Sequence, residues 1–509
     1  MNTQRPYLMA RFRTLLIFFI LLSAITVSCG KKNDQKIIRI NESEFRDRVY
    51  ACWLGKNIGG TLGMPFEGKT DVLDLTFFTN IKAGEPAPND DLDLQLLWLK
   101  AMQENDGHVD AFTLGKYWLK YVPVNWNEYG IGKENMKKGL MPPVSGEFRN
   151  DKWKNSNGAW IRSEIWACLF PGNPYMAARF AREDACVDHG MAEGTFAEIF
   201  TASLESAAFV MSDRDSLINF GLSMIPVDCR VAKAVKTAVS SYRGGQGWKD
   251  ARLEVINATE DLGWFQAPRN VAFTMIGWLY GEGDFGKSIC IAVNCGDDTD
   301  CTGATLGSIL GIIHGTSIIP AKWREPVGDK ITNVAITGFR SPANLDELTD
   351  STISMTRRVN AKYNLGVTID KGKTIRNISS GMMRPEAGDL KRLWSYSPWR
   401  VAIHNHDHVT VLDYMGEPVI RKDTRKQMSL TLSNTVSTEA AYSISCSDIP
   451  SGWSIKGLPG DTIRFTGNSS RNLDFSVMAA GGADSARFEI TVTGGYSPDT
   501  IPFILFRSK

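Results

Sequence analysis

The chain has 509 residues, of which 43% are hydrophobic and 22% charged, and its formal net charge at neutral pH is +1. This is enough apolar material for two or three domains with their own cores, and it excludes a disordered chain. A balance so close to zero, without a long basic stripe, argues against nucleic acid as partner and leaves small ligands or glycans.

The N-terminus reads as a targeting device: Arg5, Arg11 and Arg13 precede an apolar stretch from Leu15 to Val27 that ends in Ser28-Cys29-Gly30. The stretch is shorter than the ~20 apolar residues a membrane span needs, so a cleaved signal peptide is expected. A small residue before Cys29 and the polar run from Gly30 to Asp34 resemble a bacterial lipoprotein processing site, with Thr26 where such sites carry Leu. On this reading residues 1–29 are the lipoprotein signal, Cys29 is acylated and residues 30–42 are a polar tether. The protein is then exported and membrane-anchored by lipid alone, on the periplasmic or cell-surface side of the outer membrane. Ordinary secretion with cleavage near Ser28 is the alternative. The remaining cysteines lie among apolar neighbours without framework spacing and are expected as buried thiols; Cys290, Cys295 and Cys301 lack the C-x-x-C pairing of a zinc site.

From Glu44 to about Tyr363 the periodicity is helical, and residues 43–365 are expected to form an all-α domain. Glycines recur every fourth residue at Gly55, Gly59 and Gly63 and again at Gly303, Gly307, Gly311 and Gly315, a spacing that lets two helix backbones approach closely. Amphipathic helices are expected at Leu92–Gln103, Tyr175–Asp188, Phe196–Met211, Val231–Tyr242, Trp248–Glu260 and Val271–Tyr280. Phe77–Asn89 and Asn125–Ser156, rich in Gly, Pro and Asn, are expected as long loops, where binding residues tend to sit. Trp153, Trp160, Trp166, Trp264 and Trp278 suit sugar or base stacking, or simply core.

Residues 366–394 read as a linker, and 395–509 as a β-sandwich of immunoglobulin-like type, with strands at Val401–Val411, Ser429–Leu432, Ala441–Ser445, Phe488–Val492 and Ile501–Phe506. Within the first of these, His404, His406 and His408 alternate on one face, which fits either a transition-metal site or an exposed strand.

The chemistry-bearing features are two acidic clusters, Asn89-Asp90-Asp91-Leu92-Asp93 and Gly296-Asp297-Asp298-Thr299-Asp300, each just before a helical apolar run. Acids at these places can cap a helix. If the clusters converge in space, their mutual repulsion calls for a divalent cation, and an oxygen-only set favours magnesium, manganese or calcium.

Gly55-Lys56-Asn57-Ile58-Gly59-Gly60-Thr61-Leu62-Gly63, then Asn89-Asp90-Asp91, then Gly296-Asp297-Asp298-Thr299-Asp300 with its following Gly/Ala-rich helix resemble the ordered signatures of the ADP-ribosylglycohydrolase superfamily, over roughly Phe45 to Trp323. The resemblance implies an all-α catalytic domain and two divalent metal ions, most simply Mg2+, with Mn2+ or Ca2+ as alternatives. Asp90, Asp91, Asp298 and Asp300 would be ligands. Asn89 and Cys301 stand where that family carries Thr; Asn can still offer a carbonyl oxygen, whereas sulfur is a poor magnesium ligand. Glu67, Asp91 and Asp298 become the candidate catalytic residues. Ser156, Asn157 and Gly158 resemble a segment that lines diphosphate and distal ribose, and His189 and Gly296 complete the expected substrate contacts. The implied activity is a metal-dependent glycoside hydrolase cleaving a ribosyl or related bond outside the cytoplasm, with a small glycoside, nucleotide-sugar or glycan as substrate. A non-catalytic surface lipoprotein that binds glycan or nucleotide is the alternative, and a functional β-sandwich on a structural helical domain is a third reading.

Overall fold

The computed structural model describes residues 38–508 apart from 376, 377, 379, 422, 423, 448, 481 and 482. Cys29 and the expected signal segment lie outside the described residues. The order of elements is a long run of helices followed by strands.

Helix α1 (Glu42–Gly63) begins at Asn41, whose side chain accepts from the amides of Ser43 and Glu44 at 3.0 and 3.2 Å, while Glu42 and Glu44 place negative charge on its first turn. The other helices that position the site are α2 (Asp90–Glu104), α3 (Asn127–Lys138), α4 (Pro174–His189), α5 (Glu193–Ala208), α6 (Ala267–Tyr280), α7 (Thr299–His314) and α8 (Leu345–Tyr363). The two glycine stripes meet. A Cβ at Gly55 would overlap the carbonyl oxygen of Gly307, one at Gly59 that of Gly303, one at Gly63 that of Thr299 and one at Gly311 that of Ala51. Each glycine costs about 1 kcal/mol of helix propensity relative to Ala, and backbone contact along α1 and α7 offsets it.

The expected loop 125–156 is not a loop throughout, because its first third is α3, closed by Gly139 at φ 107°. Glycines at 130 and 132 and few apolar residues hide the helical period there; Tyr129 and Met136 nonetheless go to the core. Residues 77–89 contain no helix or ladder strand. Helices over Ala111–Tyr121, Arg214–Ser223 and Phe285–Asn294, together with α8, also lay outside the expected set.

Residues 366–394, expected as linker, contain β2 (Val367–Asp370), which pairs in parallel with β1 (Ile38–Asn41), and a helix at Ala387–Trp394 whose Trp394 Nε1 donates to the Met224 carbonyl at 2.8 Å. The C-terminal part is the expected sandwich of two five-stranded, mostly antiparallel sheets. One runs β3 (Arg400–His404), β4 (His408–Asp413), β6 (Arg425–Asn434), β10 (Ser470–Ala479), β8 (Trp453–Lys456); the other runs β5 (Val419–Ile420), β12 (Asp499–Arg507), β11 (Ser485–Thr493), β7 (Ala440–Ser447), β9 (Ile463–Phe465). Phe475 and Phe503, then Trp453 and Phe488, join the two sheets through the core.

The expected strand Val401–Val411 is instead a hairpin, β3 and β4, turning at residues 405–407. The three histidines therefore share no face. His408 is buried between Asp407 at 2.7 Å and Asp499 at 2.9 Å, His406 lies beside Tyr496, and the His404 amide donates to Asp110 of the helical part at 2.8 Å. Polar Asn405, His406 and Asp407 favour a turn, and the alternation that crosses them only imitates a strand.

Candidate active site

The two acidic clusters converge. Asn89 and Asp298 hold the N-cap positions of α2 and α7, yet neither side chain makes a capping bond. Gly296 at φ 78° and Asp297 at φ 63° turn the chain into α7 through left-handed backbone. A Cβ at 296 would lie 2.6 Å from the Lys69 carbonyl oxygen, so glycine permits a close approach there. Backbone bonds from Gly68 to Asp297 at 2.9 Å and from Asp297 to Lys69 at 2.7 Å then tie the Glu67 segment to the start of α7.

Ligand atoms of Glu67, Asp298 and Asp300 lie within 4.8 Å of one another, as do those of Asp91, Asp300 and Cys301, so Asp300 belongs to both groups. Tyr129 donates to Asp90 Oδ2 at 3.2 Å, Asn157 Nδ2 to Asp298 Oδ2 at 2.7 Å, and Lys56 Nζ stands 3.7 Å from Asp91 Oδ2. Lys56 is itself buried and paired with Glu164 at 2.8 Å. Asp93, the third acid of the first cluster, faces away and accepts from the Val334 and Ala335 amides at 2.6 Å each, a structural role.

Desolvation and mutual repulsion raise these acids together. Burial, then the charge of Asp300, pushes Asp90 up to about 6. Partial desolvation at the cavity mouth, with Asp300 and Asp90 nearby, pushes Glu67 up to about 7. Burial holds Asp91 and Asp298 well above the carboxylate range. The oxygens Asp91 Oδ2, Asp298 Oδ1, Asp300 Oδ1 and Asn89 Oδ1 are buried without hydrogen-bond partners. Buried, partnerless oxygens among crowded acids fit a hard divalent cation, whose charge would reverse these shifts. Cys301 is different: burial and the neighbouring acids keep its thiol protonated, and it donates to Asp91 Oδ1 at 3.6 Å.

Glu67, Asp90, Asp298 and Asp300 open onto a cavity of about 420 Å³ whose other walls are Met64, Pro88, Trp126, Asn127, Glu128, Tyr129, Ile161, Phe265, Cys301 and Val334. Ser156, Asn157, Gly158, His189 and Gly296 do not line it. They form a fully buried layer behind the wall: Ser156 Oγ is 3.1 Å from His189 Nε2, His189 Nδ1 is 2.8 Å from Asp188, and Arg162 pairs with Asp184 and Asp188 at 2.8 Å each. Of this set Asn157 reaches an aspartate of the acidic clusters, while Gly158 lies under Glu128 and His189 is grouped with Glu128 and Asp188. Trp160, Trp166 and Trp278 are core, and Trp153 and Trp264 are half-buried beside Phe265. Lining residues outside the expected set include Trp126, Asn127, Glu128, Tyr129, Phe265 and Val334. An acid between two aromatics in Trp126-Asn127-Glu128-Tyr129 was the available signal.

Residues 41–357 match the family model described as ADP-ribosylglycohydrolase. No curated protein matches the chain. Among solved structures, an "ADP-ribosylglycohydrolase-related protein complex" is 20% identical, with 62% of this chain and 99% of that one covered and a TM-score of 0.43. A FixG-related protein from Vibrio parahaemolyticus is 12% identical, with 21% of this chain and 100% of that one covered and a TM-score of 0.17. The GAE domain of GGA2p from Saccharomyces cerevisiae is 10% identical, with 21% and 96% covered and a TM-score of 0.16.

Proposed function

The chain belongs to the ADP-ribosylglycohydrolase family, and from that premise we propose that it is an exported, metal-dependent glycosidase acting on a ribosyl or related glycosidic bond. The observation that carries this reading is the meeting of Asp90 from α2 with Asp298 and Asp300 at the start of α7 on one cavity, with Asp91 grouped with Asp300 beside it and buried oxygens left unpartnered among these acids.

Asp90, Asp91, Asp298 and Asp300, with the Asn89 carbonyl oxygen, are the residues that would hold divalent metal, probed first as magnesium. When bound, the metal neutralises these acids, orients vicinal sugar hydroxyls and acidifies water. The protein's own groups do the rest. Tyr129 fixes Asp90, Asn157 fixes Asp298, and Lys56 balances Asp91 from behind. Glu67 stands at the mouth with its carboxylate within 4.8 Å of Asp298 and Asp300, placed to hold a proton for the departing group or to receive one from water. In the reaction the glycosidic bond breaks, hydroxide from water joins the anomeric carbon, and the remaining proton goes to the aglycone.

A screen of ribosides, arabinosides and hexosides with added magnesium or manganese tests the reading. Asp298→Ala should lower turnover by at least about a thousandfold, within the range for loss of a group that acts in the transition state. Metal binding without turnover on the whole panel would favour the binding-protein alternative, which the protonated Cys301 thiol beside Asp91 supports. Export through an acylated Cys29 is part of the proposal; fatty-acid labelling that persists in Cys29→Ser would remove it.

A further inference from the structure

The charge pattern of the cavity limits what can enter it. Among the described residues, every formally charged side chain in its lining is an acid: Glu67, Asp90, Glu128, Asp298 and Asp300. Three cations, Lys56, Arg162 and Arg269, stand behind the wall and are already engaged, Lys56 with Glu164, Arg162 with Asp184 and Asp188, and Arg269 with Asp297 at 3.4 Å. A cation at the aspartates would balance those aspartates and leave no positive charge for an anionic group farther along the cavity.

Glu128 forms the inner wall. Its residue is 2% exposed, its Oε2 has no hydrogen-bond partner, and its Oε1 sits so close over Gly158 that a Cβ there would overlap it. The segment 156–158, expected to line a diphosphate, is therefore buried with an acid against it. Burial, then the charge of Asp188, pushes the Glu128 carboxyl up to about 8. A neutral carboxyl can donate to one hydroxyl and accept from another. Trp126, 44% exposed, and Phe265 add flat apolar faces.

Resting on the hydrolytic reading above, we propose that the substrate is an uncharged glycoside whose sugar hydroxyls meet the Glu128 carboxyl and whose ring or aglycone lies against Trp126 and Phe265, and that a diphosphate-bearing ADP-ribosyl group is excluded. The bond broken and the fate of the water are those given above.

The test uses the full, metal-supplemented protein with 4-nitrophenyl pentosides and hexosides, an ADP-ribosylated peptide, and calorimetric titration with ADP-ribose. At least one uncharged glycoside should be cleaved with kcat/KM about 100-fold or more above the ADP-ribosyl substrate, because Glu128 covers segment 156–158 and leaves the diphosphate no partner there, and ADP-ribose should bind no tighter than a Kd of about 1 mM. Glu128→Ala should raise KM about tenfold with a smaller change in kcat, and Glu128→Gln should restore most of the affinity by keeping a hydrogen-bonding group of the same size. Micromolar binding of ADP-ribose, or its cleavage from peptide at a comparable rate, overturns the inference and leaves the hydrolase reading standing. Failure to cleave any glycoside, charged or neutral, overturns the hydrolase reading and this inference with it. An unchanged KM in folded Glu128→Ala removes Glu128 from the assignment.

Discussion

Asn157 is the residue on which the buried layer and the cavity meet. Its Nδ2 donates to Asp298 Oδ2 and its Oδ1 accepts from Trp160 Nε1 at 2.9 Å, so the amide is held at both ends and aims one carboxylate oxygen while the other stays unpartnered. Asn157→Ala should leave the fold in place and weaken divalent metal binding by about 10- to 100-fold, the usual cost of losing a partner that orients a ligand; manganese calorimetry reads it directly. At this scale the aspartates were legible, because Asp-Asp-x-Asp and Asp-Asp-Thr-Asp are dense enough to demand explanation. Glu128 is marked only by the aromatics on either side of it, and a Gly- and Asn-rich stretch carries no sign that folding will bury it at 2% exposure.

At the scale of elements, the glycine stripes were legible as a close helix contact, and the contact lies between α1 and α7, the helices whose ends carry the Glu67 segment and Asp298. Gly59→Ala would drive a methyl into the Gly303 carbonyl and the Ala304 amide, atoms of a backbone that has no freedom to yield. It should destabilise the protein by about 1–3 kcal/mol, the range for an overpacked core, and reduce activity as α7 shifts. Gly388→Ala, at a helical glycine with nothing within 4 Å of an added Cβ, should instead be neutral or stabilising by up to about 1 kcal/mol. The urea midpoint of Gly59→Ala should fall, and that of Gly388→Ala should hold or rise. Helices with a clean apolar period were read from sequence within a few residues of their ends. α3 was not, because its burial rests on scattered side chains, Tyr129, Lys133 and Met136, rather than a continuous stripe. The hairpin of β3 and β4 reads as one strand because a turn of alternating polar residues keeps period two.

At the scale of the whole molecule, the β part and the helical part share contacts as well as a chain. Phe148 stacks on Phe506 with ring centroids 5.3 Å apart, and His404 reaches Asp110. Inside the sandwich, burial alone would lower the His408 pKa, but hydrogen bonds and charge from Asp499 and Asp407 outweigh it and raise it above 6.5. A raised folded-state value means that the protonated imidazole stabilises the fold. That contribution is complete below pH 6.5 and is lost as pH rises through the folded value above it. Denaturant titrations of the wild type should show stability falling on the alkaline side of 6.5, and His408→Gln should flatten that limb; an unchanged slope would remove the assignment. The division into a helical and a β part was legible because hydrophobic period changes from helical to alternating near residue 395. The pairing of β1 with β2 was not, since strands of four residues separated by the whole helical part leave no local signature.

The backbone contact of α1 with α7 also bears on how this protein can acquire new substrates. Two helices that touch main chain to main chain can neither rotate nor slide by small steps, so the acid floor they help to set resists gradual change. The segments around Trp126 and Phe265 carry no such constraint and can diversify residue by residue. Variation in specificity should therefore concentrate in that aromatic rim, above a chemical centre that stays fixed.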